Sequence, residues 1–163
     1  MIDIKKAITT LARHDIEFVV IGGVALSIHS AAYVTYDIDI CYSRKRENLN
    51  KIADALRPFN PRLRGFPKEL PFIWDASTIQ NCTNFTLDTT LGDFDMLGEV
   101  SGIGTFEEVL LASEKWNIYG YDVQILSVHG LISAKEMAGR EKDKPGLKIL
   151  YALRDLEDPE EGI

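Results

Sequence analysis

The sequence has little cysteine, no long apolar run and no surplus of positive charge. Its two cysteines in 163 residues, Cys41 and Cys82, lie far apart in or next to apolar segments. We interpret them as reduced structural thiols rather than a disulfide framework or a metal knuckle. No segment approaches the roughly 20 apolar residues of a membrane span, and the N-terminus lacks a signal-peptide pattern. The sequence therefore predicts a cytoplasmic protein without a membrane partner.

The shortage of basic residues bears on the class of partner. The formal net charge is -7, whereas binding to a nucleic-acid backbone needs clustered Lys and Arg. Nucleic acid is therefore an unlikely partner, and a small substrate or a protein fits better. The nearest basic patch lies in the Pro-rich segment 57–71, which we interpret as a solvated loop rather than a polyanion site. Its members are Arg57, Arg62, Arg64 and Lys68.

Apolar periodicity predicts one domain over residues 1–156, followed by an acidic and flexible tail at residues 157–163. Helical spacing predicts helices over residues 2–14, 24–32, 45–56, 131–138 and 145–156. Strands are predicted over residues 17–21, 36–42, 72–74, 84–90, 93–97, 116–119 and 121–126. Thr105 and Ser127 are predicted to cap helices. The expected fold class is α/β (α+β), a mixed sheet flanked by helices, with helices at the C-terminus.

Two glycines end the first predicted strand. Gly22 and Gly23 follow an apolar run and precede a predicted helix, so backbone N–H groups and a helix N-terminus could face an anion. The pair lacks the third glycine of a dinucleotide fingerprint and the Gly-Lys-Ser/Thr ending of a P-loop. A turn without any ligand would also use two glycines, so the pair alone is a weak signal.

Carboxylates alternate with apolar residues in two predicted strands. Asp37 and Asp39 alternate with isoleucines, which places both carboxylates on one face. Their repulsion destabilises the strand unless a cation lies between them, and hard oxygen ligands suit Mg²⁺ or Mn²⁺. Asp93 and Asp95, on a later strand, are both candidates for a third ligand. The spacing alone favours ordinary polar positions on a solvated sheet face.

The order of these motifs resembles a known superfamily. A glycine pair after an apolar strand, a short helix, and Thr35-Tyr-Asp-Ile-Asp39 are similar to the signature of nucleotidyltransferases with the DNA polymerase beta type of catalytic fold. The resemblance is clearest over residues 17–42, is supported by Gly92-Asp-Phe-Asp95, and continues weakly at residues 135–143. Within the superfamily, the chain resembles the minimal nucleotidyltransferases of bacteria and archaea, including those linked to toxin-antitoxin and phage-defence systems.

The resemblance implies a role for each motif. Asp37, Asp39 and Asp95 would be catalytic residues that bind Mg²⁺ or Mn²⁺, and Asp95 would also help to deprotonate the attacking hydroxyl. Gly22 and Gly23 would hold the triphosphate. The implied nucleotidyltransferase fold agrees with the α/β class expected from periodicity.

The positively charged part of such a site is less complete in this sequence. Lys135 and Lys142 are candidate nucleotide-binding residues, provided that the C-terminal helices pack over the cleft. Tyr33 stands two residues before the threonine, where many similar sequences place an arginine. His29 and His129 have no neighbouring residues that suggest a catalytic triad, and we interpret them as structural or surface residues.

Two functions follow as expectations. The first is a metal-dependent nucleotidyltransferase that binds a nucleoside triphosphate such as ATP and transfers a nucleoside monophosphate to a hydroxyl of a small molecule or a protein side chain. The alternative is a catalytically weak or inactive nucleotidyltransferase-like binding protein, for example the antitoxin partner of a helical toxin. Tyr33 and the small size of the chain motivate the alternative.

Overall fold

The computed structural model describes residues 1–158, in which seven α-helices flank a mixed sheet of seven strands. The helices are α1 (Ile4–Arg13), α2 (Gly22–His29), α3 (Arg46–Leu56), α4 (Ala76–Gln80), α5 (Phe106–Leu111), α6 (Val128–Ala138) and α7 (Lys144–Glu157). The strands are β1 (Phe18–Ile21), β2 (Asp37–Tyr42), β3 (Arg62–Leu63), β4 (Asn84–Thr89), β5 (Gly92–Leu97), β6 (Glu99–Val100), β7 (Gly104–Thr105), β8 (Ser113–Ile118) and β9 (Tyr121–Leu126). The predicted fold class, a mixed sheet flanked by helices, is confirmed.

The main sheet has the strand order β3-β4-β5-β2-β1-β9-β8, and β6 pairs with β7 separately. Strand β1 is antiparallel to β2 and parallel to β9, whereas β2 and β5 are parallel. All four residues of β1 are buried, as expected for a β-branched and aromatic strand in the interior of a sheet. The two carboxylate-bearing strands, β2 and β5, are therefore neighbours near the centre of the sheet.

The core fixes which face of the central strands carries the carboxylates. Ile38 and Ile40 of β2 and Phe94 and Met96 of β5 have no solvent exposure. A shift of one residue in either strand would expose these apolar side chains and bury the alternating aspartates. Burial of the apolar set therefore holds the carboxylates on the other face.

Helix boundaries follow the capping residues in the sequence. The Ser127 hydroxyl accepts a hydrogen bond from the Gly130 backbone N–H at 3.1 Å, which confirms the predicted cap of α6. Thr105 occupies the N-cap position of α5, but its side chain makes no capping hydrogen bond to the backbone. Its hydroxyl donates instead to the Glu108 carboxylate at 3.4 Å.

The structure differs from the predicted elements in three ways. Residues 72–74 form no strand, because the Trp74 indole packs against α3 and donates to the Ala53 carbonyl at 2.9 Å. Strand β3 and the β6–β7 pair were not predicted, since strands of two residues carry no periodic signal. Helix α2 begins at Gly22, not after the glycine pair.

The C-terminal helix extends through Glu157, one residue beyond the predicted helix end at residue 156. Residues 159–163 of the predicted acidic tail lie outside the described residues. No helix of the described chain has the length and apolarity to cross a membrane.

Candidate active site

Three carboxylates meet where β2 and β5 run side by side. The parallel register pairs Asp39 with Asp95 and Asp37 with Asp93. One carboxylate oxygen from each of Asp37, Asp39 and Asp95 lies within 4.8 Å of the other two. Asp93 is outside this group, with a side chain that is 53% exposed. Of the two candidates that the sequence left open, Asp95 therefore completes the carboxylate cluster of Asp37, Asp39 and Asp95.

Without a metal ion, the three carboxylates of the cluster repel one another. Burial is the largest cause that raises the pKa of Asp39, to about 8, and the charges of Asp37 and Asp95 raise it further. A hydrogen bond with Asp95 adds to this effect, whereas the nearby charge of Lys135 lowers the pKa. A divalent cation would relieve the repulsion, and three carboxylates form an oxygen donor set that suits Mg²⁺ or Mn²⁺. The residues present therefore fit such an ion.

Thr35 orients the first carboxylate of the cluster. Its hydroxyl lies 3.2 Å from Asp37 Oδ1 and 3.1 Å from the Asp37 carbonyl oxygen. A hydroxyl has one proton, so it donates to one of these acceptors at a time. The contact ties the loop before β2 to the cluster, and it uses a residue that the sequence motif already contained.

The glycine pair forms the first turn of α2, directly beside the carboxylate cluster. Gly22 has a φ of +62°, and a Cβ at this position would collide with the Asp39 carboxylate. A Cβ on Gly23 would lie 2.6 Å from the Thr35 hydroxyl oxygen and 3.1 Å from Tyr33 Cε1. Both glycines are thus needed for close packing, independently of any ligand. Within residues 1–158, no side chain caps this helix N-terminus, so its backbone N–H groups lack a side-chain acceptor there.

The two candidate lysines lie in different environments. Lys135 is on α6 with a side chain that is 12% exposed, and its Nζ lies 3.2 Å from Asp143 Oδ1. It is close enough to lower the pKa of Asp39, so the structure brings it to the edge of the carboxylate cluster. Lys142 is exposed in a short 3-10 helix. Among residues 1–158 it makes no ion pair, and its nucleotide-binding role stays a prediction.

Tyr33 also lies beside the carboxylate cluster. Burial raises the pKa of its phenol, and the charges of Asp143, Asp37 and Asp39 raise it further. The position two residues before Thr35 therefore contributes a neutral hydroxyl.

Arg64 is the residue that sequence reasoning missed. Its Nη2 donates to Asp95 Oδ1 at 2.9 Å, and its Nε donates to Asp88 Oδ1 at 3.2 Å. The rest of the predicted basic patch does not join it: Arg57 pairs with Asp54, and Arg62 donates to backbone carbonyls. The interpretation of residues 57–71 as a solvated loop is wrong for Arg64. Nothing in the local sequence distinguishes it from its neighbours.

The histidines and cysteines of the described chain do not cluster into a second candidate active site. His29 Nε2 donates to the Leu126 carbonyl at 2.9 Å, and His129 Nε2 lies 2.9 Å from Asp158 Oδ2. Both cysteines are free thiols, and burial raises the pKa of Cys41 to about 12. His29 and His129 thus make local structural contacts, and Cys41 is part of the buried core.

Comparisons with known proteins bear on the fold of the chain. No family model matches the sequence, and no curated protein matches it. Solved structures do match. The antibiotic-resistance factor ANT(2")-Ia, in complex with adenylyl-2"-tobramycin, aligns with a TM-score of 0.61 at 14% identity over 96% of this chain and 90% of that one. The chain has a nucleotidyltransferase fold.

Two further structures support that conclusion. The lincomycin-bound lincosamide antibiotic adenylyltransferase LnuA aligns with a TM-score of 0.60 at 12% identity over 90% of this chain and 93% of that one. An antigenic nucleotidyltransferase-like protein from Paracoccidioides brasiliensis aligns with a TM-score of 0.54 at 14% identity, over 96% and 78% of the two chains. At these identities the likeness concerns the fold.

Proposed function

We propose that the protein is a metal-dependent nucleotidyltransferase that transfers a nucleoside monophosphate from a nucleoside triphosphate, such as ATP, to a hydroxyl. The observation that carries the proposal is the carboxylate cluster beside the first turn of α2. In-line phosphoryl transfer depends on positioning and on neutralisation of phosphate charge. Three convergent carboxylates and an uncapped helix N-terminus suit both needs.

Asp37, Asp39 and Asp95 would hold Mg²⁺ or Mn²⁺. When bound, the metal supplies positive charge that stabilises the phosphate oxygens and the leaving pyrophosphate. Thr35 orients Asp37 through its hydroxyl. The high pKa of Asp39 in the metal-free protein means that metal binding releases a proton at neutral pH.

The remaining groups bind and orient the triphosphate and the acceptor. Backbone N–H groups of Gly22 and Gly23 donate to phosphate oxygens, and Lys135 contributes positive charge from α6. Asp95 accepts the proton of the attacking hydroxyl as its oxygen bonds to the α-phosphorus and the bond to pyrophosphate breaks. The structure of ANT(2")-Ia contains an adenylylated tobramycin and that of LnuA contains lincomycin, which supports a small hydroxyl-bearing molecule as the acceptor.

The test is release of pyrophosphate from each of the four nucleoside triphosphates with Mg²⁺ or Mn²⁺, across a panel of hydroxyl-bearing acceptors. The double variant Asp37→Asn with Asp39→Asn is expected to abolish release while remaining folded. Asp93→Asn is the control, because it removes one carboxylate from the same face of the sheet, on the neighbouring strand β5, but lies outside the carboxylate cluster. Absence of release and of nucleotide binding throughout the panel would refute the proposal.

The second candidate is a catalytically weak binding protein, such as the antitoxin partner of a helical toxin. It is favoured by the positive charges near the site, which are already paired: Arg64 with Asp95, and Lys135 with Asp143. Purification of the native protein with a stoichiometric partner would support it, provided that the double aspartate variant retains function. Normal catalysis by a free monomer would count against it.

A further inference from the structure

Arg64 reaches the carboxylate cluster from the edge of the sheet. It follows β3, and its backbone N–H donates to the Thr86 carbonyl of β4 at 2.9 Å. Its side chain then crosses β4, and Nη2 reaches Asp95 Oδ1 on β5 at 2.9 Å. The two side chains are 34% and 17% exposed, respectively. This is a charge-assisted hydrogen bond between an exposed arginine and a partly buried carboxylate.

Asp95 is shared between Arg64 and the metal-binding group. On one side it accepts from the guanidinium, and on the other it offers a carboxylate oxygen within 4.8 Å of one from Asp39. An arginine stays charged at any ordinary pH. The Arg64 guanidinium donates to one oxygen of Asp95. Its positive charge also repels a metal ion that approaches Asp95 at short range. A bound metal ion and this Arg64 contact therefore oppose each other.

We propose that Arg64 is an internal counterion that competes with the divalent cation for Asp95 and thereby sets the metal affinity of the site. This rests on the proposed function, since it requires a metal at the carboxylate cluster. Arg64 acts through Asp95, so it is a positioning residue rather than a catalytic one. In the metal-free protein it neutralises the carboxylate that the metal uses.

The surroundings of Arg64 allow a metal ion to replace it at Asp95 without leaving the guanidinium unpaired. Its Nε already donates to Asp88 at 3.2 Å and lies 3.9 Å from Asp93. Nη2 also donates to the Leu87 carbonyl at 3.1 Å. When the metal takes Asp95, the guanidinium keeps these acceptors with only a small side-chain movement. Loss of one ion pair is thus compensated in part by two neighbouring carboxylates.

The experiment is a calorimetric titration of the metal-free full-length protein with Mn²⁺. Arg64→Gln is expected to bind Mn²⁺ on the order of tenfold more tightly than the wild type, because one short-range positive charge is removed. Arg57→Gln is the matched control: it removes the same charge from a nearby exposed ion pair with Asp54 at 3.2 Å, and its affinity should equal that of the wild type. Equal or weaker binding by Arg64→Gln would overturn the proposal.

Failure of this inference is distinguishable from failure of the proposed function. If the wild type binds Mn²⁺, Asp39→Asn does not, and Arg64→Gln binds no more tightly, only the role of Arg64 is refuted. If neither the wild type nor any folded variant binds Mn²⁺, the metal site itself is refuted. The proposed competition between Arg64 and the metal is then refuted as well.

A second measurement, an NMR titration of the wild type, does not depend on whether Arg64→Gln folds. The Arg64 Nε–H resonance, assigned by its absence from the spectrum of Arg64→Lys, is expected to shift as Mg²⁺ is added to the wild type. A resonance that stays unchanged at saturating Mg²⁺ would contradict the exchange.

Discussion

Gly22 and Asp39 depend on each other for space. The backbone of Gly22 has a φ of +62°, and the Asp39 carboxylate fills the space where a side chain would begin. A glycine here permits both the left-handed backbone and the close approach of the carboxylate. The glycine motif and the carboxylate motif are therefore one structural unit, although the sequence separates them.

Gly22→Ala tests this coupling. The left-handed backbone alone costs an alanine about 1–2 kcal/mol, and displacement of Asp39 adds to that cost. Gly120→Ala is the matched control, because Gly120 has a φ of +86° and nothing within 4 Å of its Cβ position. Urea unfolding should show a larger loss of stability for Gly22→Ala, together with weaker Mn²⁺ binding. Equal losses for the two variants would mean that Asp39 moves aside freely.

The raised pKa of Asp39 predicts how the stability of the metal-free protein depends on pH. The folded state holds this proton up to a pKa of about 8, whereas the reference value is 3.8. Between these values the folded state binds more protons than the unfolded state, so the free energy of unfolding falls as pH rises. Above that window the unfavourable contribution is constant.

Asp39→Asn should remove this pH dependence, because asparagine does not titrate. In EDTA, urea unfolding at several pH values from 5 to about 8 is expected to show a steeper decline for the wild type than for the variant. The variant should also be more stable than the metal-free wild type at pH 8. Parallel pH profiles would show that Asp39 titrates normally.

At the scale of elements, Asp143 joins the two C-terminal helices. Its side chain is 4% exposed and pairs with Lys135 of α6 at 3.2 Å and with Arg140 at 2.7 Å. Burial opposes its ionisation, but the hydrogen bonds from Arg140 and Lys135 leave its pKa below the ordinary value. Because α6 carries Lys135 toward the carboxylate cluster, this junction also positions a charge of the candidate site.

Asp143→Asn should lower the free energy of unfolding by about 3 kcal/mol, because it leaves the little-exposed Lys135 without its partner. Glu141→Gln is the control, since its ion pair with Lys144 is exposed on both sides and contributes well under about 1 kcal/mol. Chemical denaturation of both variants measures the difference. A loss no larger than that of the control would show that solvent replaces the buried pair.

At the scale of the whole molecule, the net charge of -7 and the three convergent carboxylates favour ligands that arrive with their own cation. A triphosphate alone would approach an acidic protein in which Arg64 and Lys135 are already paired with carboxylates. Mn²⁺ would offset part of the negative charge of the carboxylates and of the triphosphate. Metal and nucleotide should therefore bind cooperatively.

Mn²⁺ and a non-hydrolysable nucleoside triphosphate together should raise the unfolding temperature by about 10–20 °C when each is near 100 times its dissociation constant. Either ligand alone should give a smaller shift, because the metal alone lacks the phosphate oxygens and the triphosphate alone adds negative charge beside the carboxylates. The double variant Asp37→Asn with Asp39→Asn should show no shift in the same scan. A nucleotide shift that persists in EDTA would contradict the cooperative binding.

The sequence by itself determined the elements with a periodic signal. The alternation in β2 and β5 and the apolar spacing of α1, α3 and α7 come from short-range patterns in which burial of one face dictates the placement of the other. These patterns identified Asp37 and Asp39 as neighbours on one face, and the glycine pair as the end of the first strand. Such inferences need no long-range contact.

Only the tertiary structure decided how these pieces meet. Asp93 and Asp95 are equivalent in the sequence, and the parallel register of β5 with β2 brings Asp95 into the carboxylate cluster. Arg64 lies 31 residues from Asp95 and directly follows a two-residue edge strand that is too short to have a periodic pattern. Long-range pairing depends on the packing of the whole sheet, and a local pattern does not contain it. For this reason the metal ligands could be proposed from the sequence, whereas the arginine that opposes the metal could not.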